Sequence, residues 1–554
     1  MTGAELLVRC LENEGVEYIF GIPGEENIDV MDALLDSPIR FITTRHEQGA
    51  AFMADVYGRL TGRPGVCLAT LGPGATNLVT GFADANMDCA PIVAIAGQGS
   101  TTRMHKESHQ ILDLVNLFEP ISKYSTGIRG VEVIPEVVRK AFKFAALERP
   151  GGCFFDFPEN IADASVGGDD ACPLECCEVG PSLSADEKIH EAAALIATAE
   201  FPVMMVGNGL IRNHACDSLL GFVEALNIPV ANTFMAKGAI PFSHPMSLGT
   251  IGLQARDYVA CGYERADVIL CVGYDIVEYH PRLWNPDGKK KIIHIGLDAA
   301  EVDKHYIPKC SVVGDIGDAL NRLKDKLLPS RNWLKRNRQN LYAGTLRDII
   351  LEDFSTHAQD QAVPMKPQKM LWDVRHALDH EDIVICDVGA HKMWTARMYQ
   401  AEKPNTCIIS NGFASMGIAV PGAVAARLIY PDRGILAMTG DAGFMMNSQE
   451  IETALRINTP FVILIWNDNC YGLIAWHQMK KFKRTSHVDF KSPDFVKYAE
   501  SMGAVGYRIS KGDDLADVIR RAMQEKTVVV IDCPVDYSVN MEFTENMGKL
   551  ICPI

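Results

Sequence analysis

Apolar residues gather along this chain in short runs. Residues 202–207, 268–273 and 291–295 are runs of this kind. Each is strand-length and mainly apolar on both alternating sides, the pattern of a parallel strand buried on both faces. The stretches between them carry apolar positions at helical spacing. Strands alternating with helices predict a doubly wound α/β architecture with parallel sheets, and the alternation runs through the whole sequence. Two stretches interrupt it. One is 164–184, with Gly167-Gly168-Asp169-Asp170 and Pro181, a loop-like composition. The other is 329–367, a basic, helix-like part at 331–347 followed by a polar stretch ending in Pro364 and Pro367. Three α/β units are therefore expected, at 1–165, 185–328 and 366–554.

The outer two units share a pattern. In the first, a strand at 41–44 leads to a helix at 47–61, a strand at 66–70 and the loop Gly72-Pro73-Gly74. In the third, a strand at 407–410 leads to a helix ending near Arg427-Leu428, a strand at 435–439 and Gly440-Asp441-Ala442-Gly443. Arg59-Leu60 and Arg427-Leu428 fall at matching places. Either the outer units are a duplication or two ordinary βαβ units mimic one.

Composition narrows the class. A length of 554 residues fits about three or four domains. A hydrophobic share of 47% and a charged share of 22% exclude disordered and fibrous chains. With 53 Lys+Arg against 70 Asp+Glu, the net charge of -17 argues against a binder of phosphate backbones, so no nucleic-acid partner is expected. Glu5, Arg9, Glu12 and Glu14 leave no signal-peptide core, and the apolar runs at 461–466 and 527–531 are too short to span a bilayer. A cytoplasmic location without a membrane partner is the expectation. Cysteines such as Cys67, Cys89, Cys271 and Cys386 sit in apolar runs, as small buried hydrophobes in a reducing compartment do. Cys172, Cys176 and Cys177 have no second Cys/His pair at zinc spacing, which argues against a metal there.

Candidate chemistry centres on the third unit. The strand at 435–439 runs into Gly440-Asp441, and the strand at 460–466 runs into Asn467-Asp468-Asn469. A right-handed crossover makes these strands parallel, so Asp441 and Asp468 leave the sheet at the same carboxyl edge. Two carboxylates beside a glycine-rich loop suit a divalent cation gripping a diphosphate, and Mg2+ accepts such a set. The bland alternative is a pair of loop-capping residues. Asn447 and Glu450 are spaced as a capping box for the following helix. In the first unit Glu47 opens a helix, where a carboxylate is favoured by the dipole alone. The Gly72-Pro73-Gly74 loop shares its sheet edge. It is neither GxGxxG nor a P-loop, so no Rossmann or Walker site is supported.

RHEQGAAFMADVYGR, LGPGATN, NGFASMG and GDAGF followed by WNDN together resemble the thiamine-diphosphate-dependent 2-oxo-acid enzymes. Within that superfamily the chain is most similar to the acetolactate synthases, especially the FAD-independent catabolic type. The likeness extends through SHQILDLVNLFEPISKYS, VGYDIVEYHPRLW and KKFKRTSHVDF with DFVKYAESMGA.

The resemblance implies a pyrimidine-binding domain (1–165), a central domain (185–328) and a pyrophosphate- and metal-binding domain (366–554). It implies thiamine diphosphate and Mg2+, and a homodimer or homotetramer whose active sites span two subunits. Glu47 would contact the cofactor's aminopyrimidine, with Gly74 close by, and Gln110 would lie near the substrate carboxylate. Met416 would hold the cofactor bent. Gly389, Ala390, His391, Gly440, Ala442, Gly443 and Tyr471 would contact it, the first three as a loop. Asp441, Asp468 and the main-chain carbonyl of Cys470 would ligate the metal. The implied reaction is decarboxylation of pyruvate and transfer of the two-carbon unit to a second pyruvate, giving 2-acetolactate. The alternative is another decarboxylase or carboligase of the same superfamily, and a fold-keeping protein without activity is disfavoured by the presence of Glu47, Asp441 and Asp468.

Departures bear on the acceptor. Glu25 stands where many catabolic synthases have a small residue, and Trp476-His477 diverge at a position that tracks acceptor choice. FAD-contacting signatures are missing around 248–253 and 273–278, so FAD is not expected.

Overall fold

The computed structural model describes residues 1–167, 172–177, 180–252, 258–330 and 342–541. Most of the basic stretch at 331–347 lies outside these residues, as do Gly168, Asp169 and Asp170 of the first seam and residue 253 of the stretch 248–253.

The first sheet holds β1 (Tyr18–Gly21), β2 (Arg40–Thr43), β3 (Gly65–Ala69), β4 (Ile92–Gln98), β5 (Tyr124–Gly127) and β6 (Gly152–Pro158). Their order is β2-β1-β3-β4-β6-β5. The middle sheet holds β7 (Pro202–Val206), β8 (Val230–Asn232), β9 (Ser247–Thr250), β10 (Val268–Val272), β11 (Lys291–Gly296) and β12 (Pro308–Val313), ordered β12-β11-β10-β7-β8-β9. The third holds β13 (Ile383–Cys386), β14 (Cys407–Ile409), β15 (Ile435–Gly440), β16 (Val462–Asn467), β17 (Val505–Arg508) and β18 (Val529–Pro534), ordered β14-β13-β15-β16-β18-β17. All pairings within the three sheets are parallel. The doubly wound expectation therefore holds in each unit. The two outer sheets have one strand order, with β13 to β18 standing for β1 to β6, as a duplication requires.

One expected linker is structural. The helix Tyr342–Thr356 buries Tyr342, Ala343, Leu346, Ile350 and Phe354 in a core shared with the middle and third units. Its apolar positions recur at helical spacing, a pattern that the surrounding polar residues obscure.

The first and third units are fused through two equivalent helices. The helix Glu47–Thr61 starts where His46 accepts a hydrogen bond from the Gln48 N–H at 3.1 Å, and ends at Gly62, whose φ of +70° terminates it in the left-handed region. It packs against the helix Ala419–Ile429 in one continuous core containing Ala50, Val56, Ile418 and Ala423. Small residues permit the close approach. A Cβ on Gly422 would lie 2.8 Å from Val56 Cγ2.

A buried charge cluster locks the same seam. The Arg59 guanidinium donates to Asp55 Oδ1 at 2.7 Å, Asp84 Oδ2 at 3.0 Å and Asp88 Oδ2 at 2.8 Å. Across the seam the Ser410 hydroxyl donates to Asp84 at 2.7 Å and the Asn411 N–H to Asp88 at 3.0 Å. Arg427, at the matching place in the third unit, instead donates to the Arg433 carbonyl at 2.6 Å. Among the described residues no helix is long and apolar enough to cross a membrane.

Candidate active site

β15 and β16 are parallel neighbours, so their carboxyl ends meet at one edge. The chain leaves β15 at Gly440 and enters the helix Asp441–Asn447 directly, without the loop expected there. Gly440, Asp441, Ala442 and Gly443 thus form a strand end and a first helical turn, whose N–H groups lack intrahelical acceptors. After β16 the turn through Asp468, Asn469 (φ +54°) and Cys470 is pinned by main-chain bonds. Tyr471 N–H donates to the Val488 carbonyl at 2.9 Å, and Phe490 N–H to the Asn469 carbonyl at 3.1 Å.

This framework fixes two carboxyls. Asp441 Oδ2 accepts from the Asn469 N–H at 2.7 Å and the Ser492 hydroxyl at 2.9 Å, while Oδ1 accepts from the Ala442 N–H at 2.9 Å. Burial pushes Asp441 above the usual carboxylate range. Burial, and then the charge of Asp441, push Asp468 up to about 7. A divalent cation between them would remove both penalties. The Cys470 thiol is pushed up to about 12 by burial, so it stays protonated and offers only its main-chain carbonyl. Among the described residues no group of three or more His, Cys, Asp or Glu side chains is arranged to hold a metal. Two carboxylates with a carbonyl is still a donor set that Mg2+ accepts, because phosphate and water complete its shell.

A second uncapped helix start lies alongside. Gly389 precedes the helix Ala390–Met398, so Ala390 and His391, expected in a loop, sit in a first helical turn. No side chain caps that turn. His391 Nε2 is buried without a hydrogen-bond partner, and burial pushes the ring down to about 3, so it is neutral. The uncapped N–H groups fit a bound phosphate; the neutral ring donates to the Asp387 main chain, which leaves Nε2 as an acceptor. A Cβ on Gly443 would lie 2.8 Å from Asp387 Oδ2. Asp387, unremarked in the sequence, also accepts from the Gly417 N–H at 2.9 Å and the Thr439 hydroxyl at 2.9 Å. Asn447 Nδ2 donates to the Gly417 carbonyl at 2.9 Å, so the half-buried Met416 is held next to this helix start. Tyr471 is 42% exposed at the start of the helix Gly472–Phe482, stacked edge-on against Phe490.

The capping box expected of Asn447 and Glu450 does not form. Asn447 ends one helix and Glu450 begins the next, Glu450–Arg456. Glu450 reaches instead into the first unit, accepting from the Arg45 and His46 N–H groups, both at 3.1 Å, and from the Thr453 hydroxyl at 2.6 Å. A carboxylate from the third unit thus holds the two residues that lead into the helix that Glu47 opens.

Glu47 is 9% exposed, and its Oε2 accepts from Asn77 Nδ2 at 3.0 Å. A Cβ on Gly74 would lie 2.8 Å from Thr70 Cγ2 and within contact of Glu47 Oε1 at 3.5 Å, so the glycine lies against the carboxylate. The exposed Gln110 lies with its Cβ 2.9 Å from the Cβ position of Gly72. Glu47, Gly74 and Gln110 therefore group at the edge of the first sheet, and the other candidates group in the third unit. No hydrogen bond among the described residues joins Glu47 to the second group. Asn77, Asp387 and Ser492 carry no assignment from the sequence, and Glu450 was expected only as part of a local helix cap. Asn77, closing the LGPGATN segment, carried a signal.

Three family models match the chain, all of thiamine pyrophosphate enzymes: the N-terminal TPP binding domain over 1–117, the central domain over 189–323 and the C-terminal TPP binding domain over 387–533. Fold and site thus define a thiamine-pyrophosphate-dependent enzyme. An acetolactate synthase of Bacillus subtilis is 38% identical over 545 residues, covering 98% of this chain and 95% of that one. A catabolic acetolactate synthase of Raoultella terrigena is 34% identical, covering 97% and 96%. A probable acetolactate synthase large subunit of Methanocaldococcus jannaschii is 34% identical, covering 99% and 94%. The chain belongs to the acetolactate synthase family.

Proposed function

We propose that this protein is an acetolactate synthase that decarboxylates one pyruvate and condenses the two-carbon unit with a second, giving 2-acetolactate. The observation that carries this reading is the buried Asp441 and the half-buried Asp468 beside the uncapped turn holding His391. Asp441, Asp468 and the Cys470 carbonyl would hold Mg2+. Gly389, Ala390, His391, Gly440, Ala442, Gly443 and Tyr471 would hold the diphosphate end of the cofactor, and Met416 its bend. When bound, thiamine diphosphate supplies the carbon nucleophile and the electron sink for loss of carbon dioxide. Glu47, oriented by Asn77, would exchange a proton with the pyrimidine of a cofactor held by a second copy of the chain, with Gly74 leaving room beside it. Gln110 would approach the substrate. The working particle is a homodimer or homotetramer in the cytoplasm, with domains at 1–165, 185–328 and 366–554.

The cofactor set excludes FAD in this reading, and Glu278 supports that. The middle sheet changes direction between β7 and β10, where doubly wound folds bind dinucleotides. Glu278 is buried there, accepting from the Asn208 N–H at 3.0 Å and from the Thr233 hydroxyl. The chain's own carboxylate takes the place of an incoming phosphate. Flavin released on denaturing the purified protein would overturn this part.

The test is incubation with thiamine diphosphate, Mg2+ and pyruvate, followed by acid. Acetoin after acid supports the synthase. Acetaldehyde as sole product assigns a simple decarboxylase, and absence of carbon dioxide release from every 2-oxo acid tried removes the enzymatic reading.

A further inference from the structure

A cavity of about 490 Å³ lies between the middle and third units. Its walls are largely apolar, with Phe234, Leu283, Met393, Leu473 and Trp476 among them, and Lys392 lines it as well. Lys392 is 6% exposed, and its ammonium makes no hydrogen bond or ion pair among the described residues. The Phe234 ring lies 5.9 Å from Nζ to centroid, at the outer limit of a cation–π contact, and burial lowers the Lys392 pKa although the charges of Asp88 and Asp84 oppose it.

Two other buried cations are satisfied. Lys237 Nζ donates to Thr250 Oγ1 and the Ala396 carbonyl, both at 3.0 Å. Arg375 donates to the Tyr399 hydroxyl at 2.9 Å and to three main-chain carbonyls. Burying an ammonium without a partner is costly, so one facing a cavity is suited to an anion that arrives there. Glu278 also lines the cavity, but its oxygens are engaged by Asn208 and Thr233. Val388 and Ala414, on the wall, are next to Gly389 and two residues before Met416, so the cavity adjoins the proposed reaction centre.

We propose that Lys392 is the specificity residue that anchors the carboxylate of a small 2-oxo acid entering through this cavity. The inference rests on the proposed function for the identity of its ligand. The ammonium supplies a charge-assisted hydrogen bond, and the apolar walls exclude water and accept the alkyl end.

The test compares Lys392→Met, which keeps length without charge, with Lys392→Arg, which keeps charge. In the holoenzyme, Lys392→Met should raise KM for pyruvate about 10- to 100-fold with kcat little changed, and Lys392→Arg should restore most of it. Calorimetric binding of pyruvate to the holoenzyme carrying Glu47→Gln, in which turnover is slowed at least about a hundredfold, should weaken by the same factor when Lys392→Met is added. The thermal midpoint should hold or rise, since an unpaired buried charge is removed. An unchanged KM and pyruvate affinity, a loss of kcat alone, an arginine variant no better than methionine, or a lowered midpoint would each overturn the proposal. Should the wild type make no acetolactate, the functional reading fails, while the pyruvate calorimetry still decides the role of Lys392.

Discussion

Replacing Arg59 with methionine should be among the most destabilising single changes in this chain. Arg59 is 6% exposed and the three aspartates it holds are fully buried, so the variant leaves three carboxyls without their cation. Removing one partner of a buried ion pair costs about 3–5 kcal/mol, and three partners place this case at the upper end. Burial, aided by the charges of Asp88 and Asp55, already raises Asp84 well above the usual carboxylate range. Without the guanidinium the cluster takes up at least one further proton on folding. A carboxyl whose folded pKa is raised stabilises the folded state at low pH, and that contribution is lost as pH rises through the folded value. One extra proton makes stability fall by about 1.4 kcal/mol per pH unit, so the deficit should grow by about 2.7 kcal/mol between pH 6 and pH 8. Urea unfolding followed by circular dichroism at both pH values measures this directly. Adding Asp84→Asn should recover part of the loss at pH 8. A deficit below about 1 kcal/mol, or one that does not change with pH, refutes the charge argument.

Glu47→Gln should lower turnover by about 10²- to 10⁴-fold, the usual worth of a positioned proton-transfer group, while thiamine diphosphate still binds by calorimetry. Full activity would remove its proton-exchange role. Asp468→Asn should raise the Mg2+ concentration for half-maximal activity by at least about tenfold, since one of two anionic donors is lost; an unchanged requirement would place the metal elsewhere. Burial raises Glu450 to about 7, so its contribution to stability is present below the ordinary glutamate value and is lost as pH climbs towards 7. Glu450→Gln should accordingly flatten the dependence of the urea midpoint on pH between 5 and 7.5, and an identical slope in the two proteins would count against that assignment.

Apolar runs announced the sheets well. The helix predicted at 47–61 is observed at Glu47–Thr61. Strand limits shift by a residue or two, because ladder bonds and not hydrophobicity decide where a strand stops. Asp441 and Asp468 were readable as neighbours because parallel crossover geometry is local. What escaped depends on distant partners. Glu450 and His46 lie 404 residues apart, so spacing near Asn447 pointed to the wrong cap. Lys392 looks like any helical lysine until the middle unit closes over it. Glu278 is an ordinary surface-type residue in sequence, and only the folded middle sheet shows that it meets Asn208 after β7 and Thr233 after β8.

The grip of Glu450 on Arg45 and His46 sets the bearing of Glu47 within its own chain. If each working site takes Glu47 from one copy and Asp441 from another, damage to the two residues is separable. A subunit with Glu47→Gln retains a sound metal half, and one with Asp441→Asn retains a sound proton half. Co-assembled at random in equal amounts, two inactive proteins would regenerate one intact site in every mixed dimer, and about a quarter of wild-type activity would return. Genetic complementation between null alleles would then follow from where one carboxylate rests.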